Sequence, residues 1–409
     1  MRDSFKGGVL EMKTYKVGVV GLGHGRSHVR LTHEYLEQTE CAAICDVNEE
    51  RLKNTAEELD IGKTTTHYAD LLSDPDLDIL CICSPCHIHG QMVLAALDAG
   101  KHVMVETPME NESMERLWKI ITMAERRHLK VQMDCPDRWI PESVKMKQLI
   151  DDGHVGEIYY VICEYLQDIR QQGGGGLMKK EGFRMGYGVK AQESVSAGAG
   201  IYAVDTARWF LGEDFTEVFA YGNRKNLPSR NVDDHDVALF RTASGAIARV
   251  QCSKAARRPY KEITKSVWGT KGTIESTGYL PAPPDSTGLY GCLVEDGAGP
   301  KPYTGPYEMR PIEVPSVPLP EWITQDMVRK VGHGGVEFFS WMDLIHSIEN
   351  DCMSEINVYE AARTCAGAVA VNESKVAHRP ISIPQIVDRH DEMKPLYPLP
   401  YGEASSAEL

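Results

Sequence analysis

The chain has too few basic residues to grip a polyanion and no apolar run long enough to cross a bilayer. It sets 44 Lys and Arg against 59 Asp and Glu, a formal net charge of -15 over 409 residues. A nucleic-acid groove or an anionic membrane surface needs clustered cations. A membrane span needs roughly 18 consecutive apolar residues, and no stretch approaches that. The opening MRDSFKGGVLEMK lacks the apolar core and small-residue cleavage site of a signal peptide. No internal repeat is visible. These absences predict a cytoplasmic protein that handles small molecules, with neither nucleic acid nor membrane as a partner.

A disulfide framework is also missing. Eleven cysteines is an odd number in a long chain, and such usage points to free thiols in a reducing compartment. Cys81, Cys83 and Cys86 cluster in ILCICSPC. A three-thiolate metal site there is weighed against a buried strand. Alternate strand residues point to opposite faces, which favours the strand. No metal site is expected.

What is present is the pattern of two domains, since this length exceeds what one hydrophobic core organises. The first third alternates apolar runs with helical stretches: YKVGVVG, CAAICDV, LDILCICSP, KHVMVE and KVQMDCP are separated by amphipathic segments. That beat predicts a doubly wound parallel sheet of about five or six strands over residues 1–138. Asn48 is the expected N-cap of NEERLKNTAEELD, and Gly100 closes the helix before KHVMVE. Beyond Arg138 the runs EIYYVICEYL, DHDVALFRTASGAIARVQCS and SVWGTKGTIES predict an α+β domain over 139–409, built on an open, mostly antiparallel sheet. The Gly-rich QQGGGGLMKKEGFRMGYG interrupts it. The Pro-rich stretch from Leu280 to Pro320 is expected to run over the surface.

The most mechanical motif is GVVGLGHGRSHV, a strand entering a glycine-rich turn and then a helix, where backbone N–H groups and the helix dipole hold a pyrophosphate. Gly21, Gly23, His24 and Gly25 are the expected contacts. Asp46 ends the next strand, 23 residues after Gly23, where a carboxylate accepts from a ribose hydroxyl and repels a 2′-phosphate. This favours NAD over NADP. Gly25 comes one place earlier than the usual fingerprint, and Arg26 in the next position is able to contact a phosphate, which keeps NADP in play.

Several collinear motifs resemble those of the glucose–fructose oxidoreductase and inositol dehydrogenase family, Gfo/Idh/MocA, from about Lys16 to Pro384. SPCHIH is similar to its Thr-Pro-Asn-x-x-His signature, with Pro85 and His89 in place. GKHVMVETP is similar to its Gly-Lys-His-Val-x-x-Glu-Lys-Pro signature. VDDHDVALFRTASGAIARV, WGTKGTIES, GHGGVEFF and the last helix before HRPISIP fit as well. The resemblance implies a Rossmann domain followed by a sheet domain whose exposed face builds a homodimer or homotetramer. It places a sugar-like small-molecule substrate between that sheet and the nicotinamide. Ser84, Pro85, His89, Glu106 and Thr107 would line the path to the nicotinamide, and Asp205 matches an acidic residue near the substrate.

Two residues of the family's acid/base machinery do not carry over: Thr107 stands where the family usually has lysine, and Tyr202 where it usually has histidine. Oxidising a secondary alcohol releases a proton with the hydride, so a positioned base assists. A tyrosine, with an ordinary pKa near 10, needs a cationic neighbour to serve. The expected catalytic set is therefore Tyr202, Asp205 and Lys190, with Lys179, Lys180 and Arg184 as further cations beside the Gly-rich run. Arg184, Tyr187 and His333 are candidate substrate contacts. Arg257, Arg258 and Tyr260 in KAARRPYKE read better as a solvated strand end than as an anion clamp.

Three functions follow from the resemblance. The first is an NAD(H)-dependent oxidoreductase acting on a secondary hydroxyl of a sugar, glycoside or cyclitol. The second is a redox-neutral glycoside hydrolase or lyase that oxidises, eliminates and re-reduces, as do relatives lacking the lysine. The third is a non-catalytic sugar and dinucleotide sensor.

Overall fold

The structure is a computed structural model that describes residues 13–168, 195–198, 200–226, 233–256, 263–276, 288–293, 309–313, 322–331 and 335–386. Its first sheet contains β1 (Tyr15–Val20), β2 (Thr39–Cys45), β3 (Thr64–Thr65), β4 (Ile79–Ile82), β5 (His102–Glu106) and β6 (Val131–Asp134). Their order is β3-β2-β1-β4-β5-β6, and every pairing is parallel. This is the doubly wound arrangement expected from the alternating apolar and helical segments. The crossovers carry α1 (Arg26–Arg30), α2 (Glu49–Leu59), α3 (Tyr68–Leu72), α4 (His89–Asp98) and α5 (Met114–Arg127). Helix α1 passes at once into a π-helical turn, Leu31–Tyr35. Asn48 caps α2 by accepting from the Arg51 backbone N–H at 2.8 Å. Gly100, just beyond α4, adopts a φ of +75°, the left-handed conformation that ends helices cheaply on glycine.

Helices α6 (Pro141–Asp151) and α7 (Ile201–Leu211) lead into the second sheet. That sheet contains β7 (Ile158–Leu166), β8 (Phe215–Asn223), β9 (His235–Thr242), β10 (Ile247–Ser253), β11 (Ile263–Gly269), β12 (Gly272–Ser276), β13 (Leu289–Leu293), β14 (Arg310–Pro311) and β15 (Ile381–Ser382). The order is β14-β13-β12-β11-β7-β10-β9-β8-β15. β7 and β10 run parallel, and the other pairings are antiparallel. β13 and β14 correct the expectation for the Pro-rich stretch, because two pieces of it pair at the sheet edge instead of only running over the surface.

The last helices are α8 (Gln325–Lys330), α9 (Glu337–Glu349) and α10 (Val358–Ala377). Phe338, Trp341, Leu344 and Ile345 of α9 pack with Val17, Val19, Ile79, Cys81 and Met104, so this late helix covers one face of the first sheet. Leu80, Ile82, Val103 and Val105 face the other way and share a core with α5 and α10. The period of two in the strands serves both layers. α7 and α10 lie against the inner face of the second sheet, where Gly367 lets Phe240 and Val204 approach to 3.4 Å of its missing Cβ. Tyr221, Leu239, Ile247 and Trp268 stand exposed on that sheet's outer side.

Candidate active site

Three glycines shape the turn after β1. Gly21 has a φ of +90°, and a Cβ there would lie 2.4 Å from the Cys83 carbonyl oxygen. A Cβ on Gly25 would lie 2.5 Å from the Gly21 oxygen, whereas over Gly23 only an Arg51 guanidinium nitrogen comes near, at 3.7 Å. Gly21 and Gly25 are thus required by close backbone approach, and Gly23 leaves room for a phosphate to approach the main chain. His24 lies 3.3 Å from Glu106. Arg26 is engaged by Glu58 of α2, a departure from the expectation that it is available to a phosphate.

Asp46 is buried at the end of β2. It accepts from the backbone N–H of Leu22 at 2.7 Å and of Asn48 at 2.8 Å, and from Arg51 at 3.1 Å. A carboxylate offers about four lone-pair positions, and these three donors leave it room for a further one. The sequence reading passed over Arg51; its only signal was its place in the first turn of the helix after β2.

The carboxyl ends of β5 and β6 bring Glu106 and Asp134 side by side in register. His28 of α1, also passed over in the sequence, sits between them: Nε2 is 3.0 Å from Glu106 and 3.6 Å from Asp134. Trp341 donates its indole N–H to His28 Nδ1 at 3.0 Å. Burial opposes charge on this ring, but Cys81, Glu106 and Asp134 draw its pKa well above the ordinary value. The hydrogen-bond geometry nevertheless assigns the neutral ring: Nδ1 accepts the indole proton of Trp341, so the ring's single proton is assigned to Nε2, facing Glu106.

Cys81 and Cys83, two residues apart, share a face, and their sulfurs lie 3.6 Å from each other. This corrects the reading that sent them to opposite sides. His28 forms potential metal-ligand groups with the two thiols and with the two carboxylates. Both of its nitrogens are engaged in hydrogen bonds, to Trp341 and Glu106, so a cation would have to displace the Nε2 proton.

His89 clamps two loops, with Nε2 2.6 Å from the Ser84 carbonyl and Nδ1 2.8 Å from that of Pro108. Burial lowers its pKa, and the neutral ring donates to one carbonyl at a time. The Ser84 hydroxyl donates to Met92 Sδ at 3.0 Å. Pro85 starts the short turn Cys86–Ile88. Thr107, half-buried, follows Glu106 and joins Pro108 through a cis peptide.

Tyr202 and Asp205 lie one turn apart on α7, both buried. Asp205 departs from its expected acid/base role, because Arg138 grips both its oxygens, at 2.8 and 2.9 Å. Thr364 donates to it at 2.7 Å and Cys135 at 3.5 Å. Burial alone would raise its pKa, but the Arg138 guanidinium outweighs burial and holds the carboxyl below the usual range. Arg138 also reaches Glu355 at 3.2 Å and Glu360 at 3.1 Å. Asp205 therefore fastens α7 to the end of β6 and to α10 as a positioning residue.

The Tyr202 ring lies 5.9 Å from that of Tyr165 on β7. Lys254 reaches the Tyr165 hydroxyl at 3.3 Å and Gln167 Oε1 at 2.7 Å. In the sequence Lys254 is one of several cations in KAARRPYKE and carries no signal of its own, because its partner Tyr165 is distant in the chain. Lys179, Lys180, Arg184, Tyr187, Lys190, Arg257, Arg258, Tyr260 and His333 lie outside the described residues. A polar cleft of about 650 Å³, lined by Arg138, Arg208, Trp209, Glu360 and Arg363 among others, contains none of the glycine-loop residues.

Residues 15–135 match the description "Oxidoreductase family, NAD-binding Rossmann fold", and residues 143–275 match "GFO/IDH/MocA C-terminal domain". The chain is 27% identical over 265 residues to the scyllo-inositol 2-dehydrogenase (NAD(+)) of Bacillus subtilis, covering 63% of this chain and 72% of the relative. It is 23% identical over 406 residues to a glycosyl hydrolase family 109 protein of Streptomyces coelicolor, covering 91% and 83%. The crystal structure of levoglucosan dehydrogenase with NADH and L-sorbose superimposes with a TM-score of 0.73 at 20% identity, covering 92% of this chain and all of the other. At that identity the likeness establishes the fold.

Proposed function

Because the chain belongs to the Gfo/Idh/MocA oxidoreductase family, with its NAD-binding Rossmann fold, we propose that it is an NAD(H)-dependent oxidoreductase. It moves a hydride between the nicotinamide and a secondary hydroxyl of a sugar, glycoside or cyclitol. The observation that carries the cofactor half is the tightly fitted Gly21–Gly25 turn with open space over Gly23 and the braced Asp46 beside it. Gly21, Gly23, His24 and Gly25 would hold the pyrophosphate and Asp46 the adenosine ribose. Ser84, Pro85, His89, Glu106 and Thr107 would border the nicotinamide. The dinucleotide supplies a two-electron acceptor there. The polyol half is supported by relatives named as inositol dehydrogenases in Bacillus subtilis and in Thermotoga maritima.

A redox-neutral glycosidase is the second reading, favoured by one specific feature: Thr107 replaces the lysine, and a family 109 hydrolase aligns over most of the chain. One experiment separates the two. Purified protein and NAD are tested against sugars, cyclitols and aryl glycosides while NADH absorbance and aglycone release are followed together. NADH formation supports the dehydrogenase. Aglycone without net NADH sinks it in favour of the glycosidase, and dinucleotide binding with silence in both channels indicates a sensor.

The exposed Tyr221, Leu239 and Ile247 on adjoining strands support assembly of two or four copies through the outer sheet face. Eleven free cysteines support a reducing cytoplasm. Among the described residues no helix is long and apolar enough to cross a membrane.

A further inference from the structure

The dehydrogenase reading leaves one proton without an acceptor, since Thr107 cannot replace a lysine and Asp205 is committed to Arg138. A tyrosine fills that role only beside a cation. The structure places one at Lys254, directly after β10. Its Nζ donates to the Tyr165 phenolic oxygen at 3.3 Å and lies 4.6 Å from that ring's centroid. The position is built by the backbone. Parallel pairing sets Cys252 beside Tyr165 and Ser253 beside Leu166. Gln167 N–H donates to the Ser253 oxygen at 2.8 Å, Lys254 N–H to the Asp234 oxygen at 2.9 Å, and Ala256 N–H back to the Gln167 oxygen at 3.0 Å. The ammonium has little freedom to leave, because Gln167 Oε1 holds it at 2.7 Å.

A chain of contacts links the pair to the carboxyl end of β6 in the first sheet. Tyr202 packs on Tyr165 and stands one helical turn before Asp205. Asp205 in turn accepts from Cys135, the residue after Asp134 at the carboxyl end of β6. Both tyrosines are buried and Lys254 is partly exposed, so the lysine is the part of the pair that reaches the surface.

Resting on the dehydrogenase reading, we propose that Tyr165 is the proton-exchanging residue of this enzyme and Lys254 the positioning residue that stabilises its phenolate. On oxidation, the substrate O–H proton passes to the Tyr165 oxygen. The electron pair of the adjacent C–H bond leaves as hydride to the dinucleotide, and the carbon–oxygen bond becomes a carbonyl. One proton and one hydride leave the alcohol, and reduction runs the same steps backwards. Tyr202 frames the ring of Tyr165. Among the described residues, the ionisable groups on the packed strands include Cys163 and Glu164 of β7, Cys252 of β10, Asp234 and Asp236 at the start of β9, and Lys265 of β11; Glu164 is paired with Arg249 and Lys265 with Asp137. Burial pushes both thiols up, so they stay protonated throughout the working range, and the Asp236 carboxyl accepts from Ser196.

The test is an ultraviolet titration of tyrosinate in the folded protein, which needs no substrate. The difference between the native chain and Tyr165→Phe should show one tyrosine ionising below the ordinary value near 10. Lys254→Met should move that step up by about 1–3 units, the range expected when an opposite charge a few ångströms away is removed. Lys254→Arg should keep it low. With any polyol that reduces NAD, the pH profile of kcat/KM should move in the same direction. If Tyr165→Phe removes no early step, if Lys254→Met leaves it in place, or if Tyr202→Phe removes it instead, the assignment is overturned. Absence of turnover with every polyol would sink the dehydrogenase reading while the titration still answers for the pair.

Discussion

Replacing Asp205 by Asn distinguishes a catalytic carboxylate from a structural one. Arg138 and Asp205 are 3% and 0% exposed, and removing one partner of such a pair costs about 3–5 kcal/mol, because the other charge stays buried without it. Arg138 keeps Glu360 at 3.1 Å and Glu355 at 3.2 Å, and the amide oxygen retains one acceptor. The loss should therefore fall near the low end, about 3 kcal/mol. With a urea m-value of about 2–3 kcal/mol/M, the unfolding midpoint followed by tryptophan fluorescence should drop by about 1 M. Combining Asp205→Leu with Arg138→Met should cost less than the sum of the two, by up to about 3 kcal/mol, since neither buried charge is then left alone. At urea-free conditions, where Asp205→Asn is folded, kcat/KM should stay within about tenfold of the native value. An unchanged midpoint with kcat lowered by about a hundredfold or more is the signature of a lost acid or base, and it would refute the structural reasoning.

Gly21→Ala should weaken NAD binding by more than about tenfold, because the added Cβ meets the Cys83 carbonyl at 2.4 Å and the positive φ disfavours any side chain; fluorescence titration with unchanged affinity would count against the loop. Asp46→Ser should lose about tenfold in NAD affinity relative to NADP, since Arg51 is left facing the ribose without its carboxylate, and a constant affinity ratio would remove Asp46 from cofactor choice. Acid should weaken the fold. Burial alone would raise the Glu360 pKa, but Arg208 and Arg138 outweigh it and bring it down to about 2 from 4.5. A depressed carboxylate contributes fully above its unfolded pKa, and its contribution, on the order of 3 kcal/mol, is lost as pH falls from about 4.5 through about 2. Burial raises Asp236, which offsets part of that, so a flat denaturation midpoint between about pH 6 and about pH 3 would contradict the ion network. Leu239→Glu, at an exposed position paired with Phe219 across the outer sheet, should shift sedimentation toward a smaller species, and an unchanged profile would move the interface elsewhere.

Local chemistry made much of this protein legible before any coordinates. Apolar runs such as YKVGVV and ILCI, set between helical stretches, read as strands of a parallel sheet, and the caps at Asn48 and Gly100 follow from side-chain and backbone preferences that act within a few residues. Gly21, Gly25 and Asp46 were readable for the same reason: the turn they build is local. The sequence could also show that Thr107 and Tyr202 broke a familiar pattern. What stands in their place was not legible, because it depends on strands brought together from far apart in the chain. Whether Asp205 faces substrate or Arg138 depends on α7 meeting the end of β6, 67 residues away. Trp341 fixes the tautomer of His28 across 313 residues. Lys254 meets Tyr165, 89 residues earlier, only because β10 pairs parallel to β7. The sequence by itself determined the two sheets and the dinucleotide turn, since periodicity and turn chemistry are properties of neighbouring residues. Tertiary structure alone decided which charges are neutralised and which stand beside a proton acceptor, since electrostatic partners are set by distance in space and not by spacing along the chain.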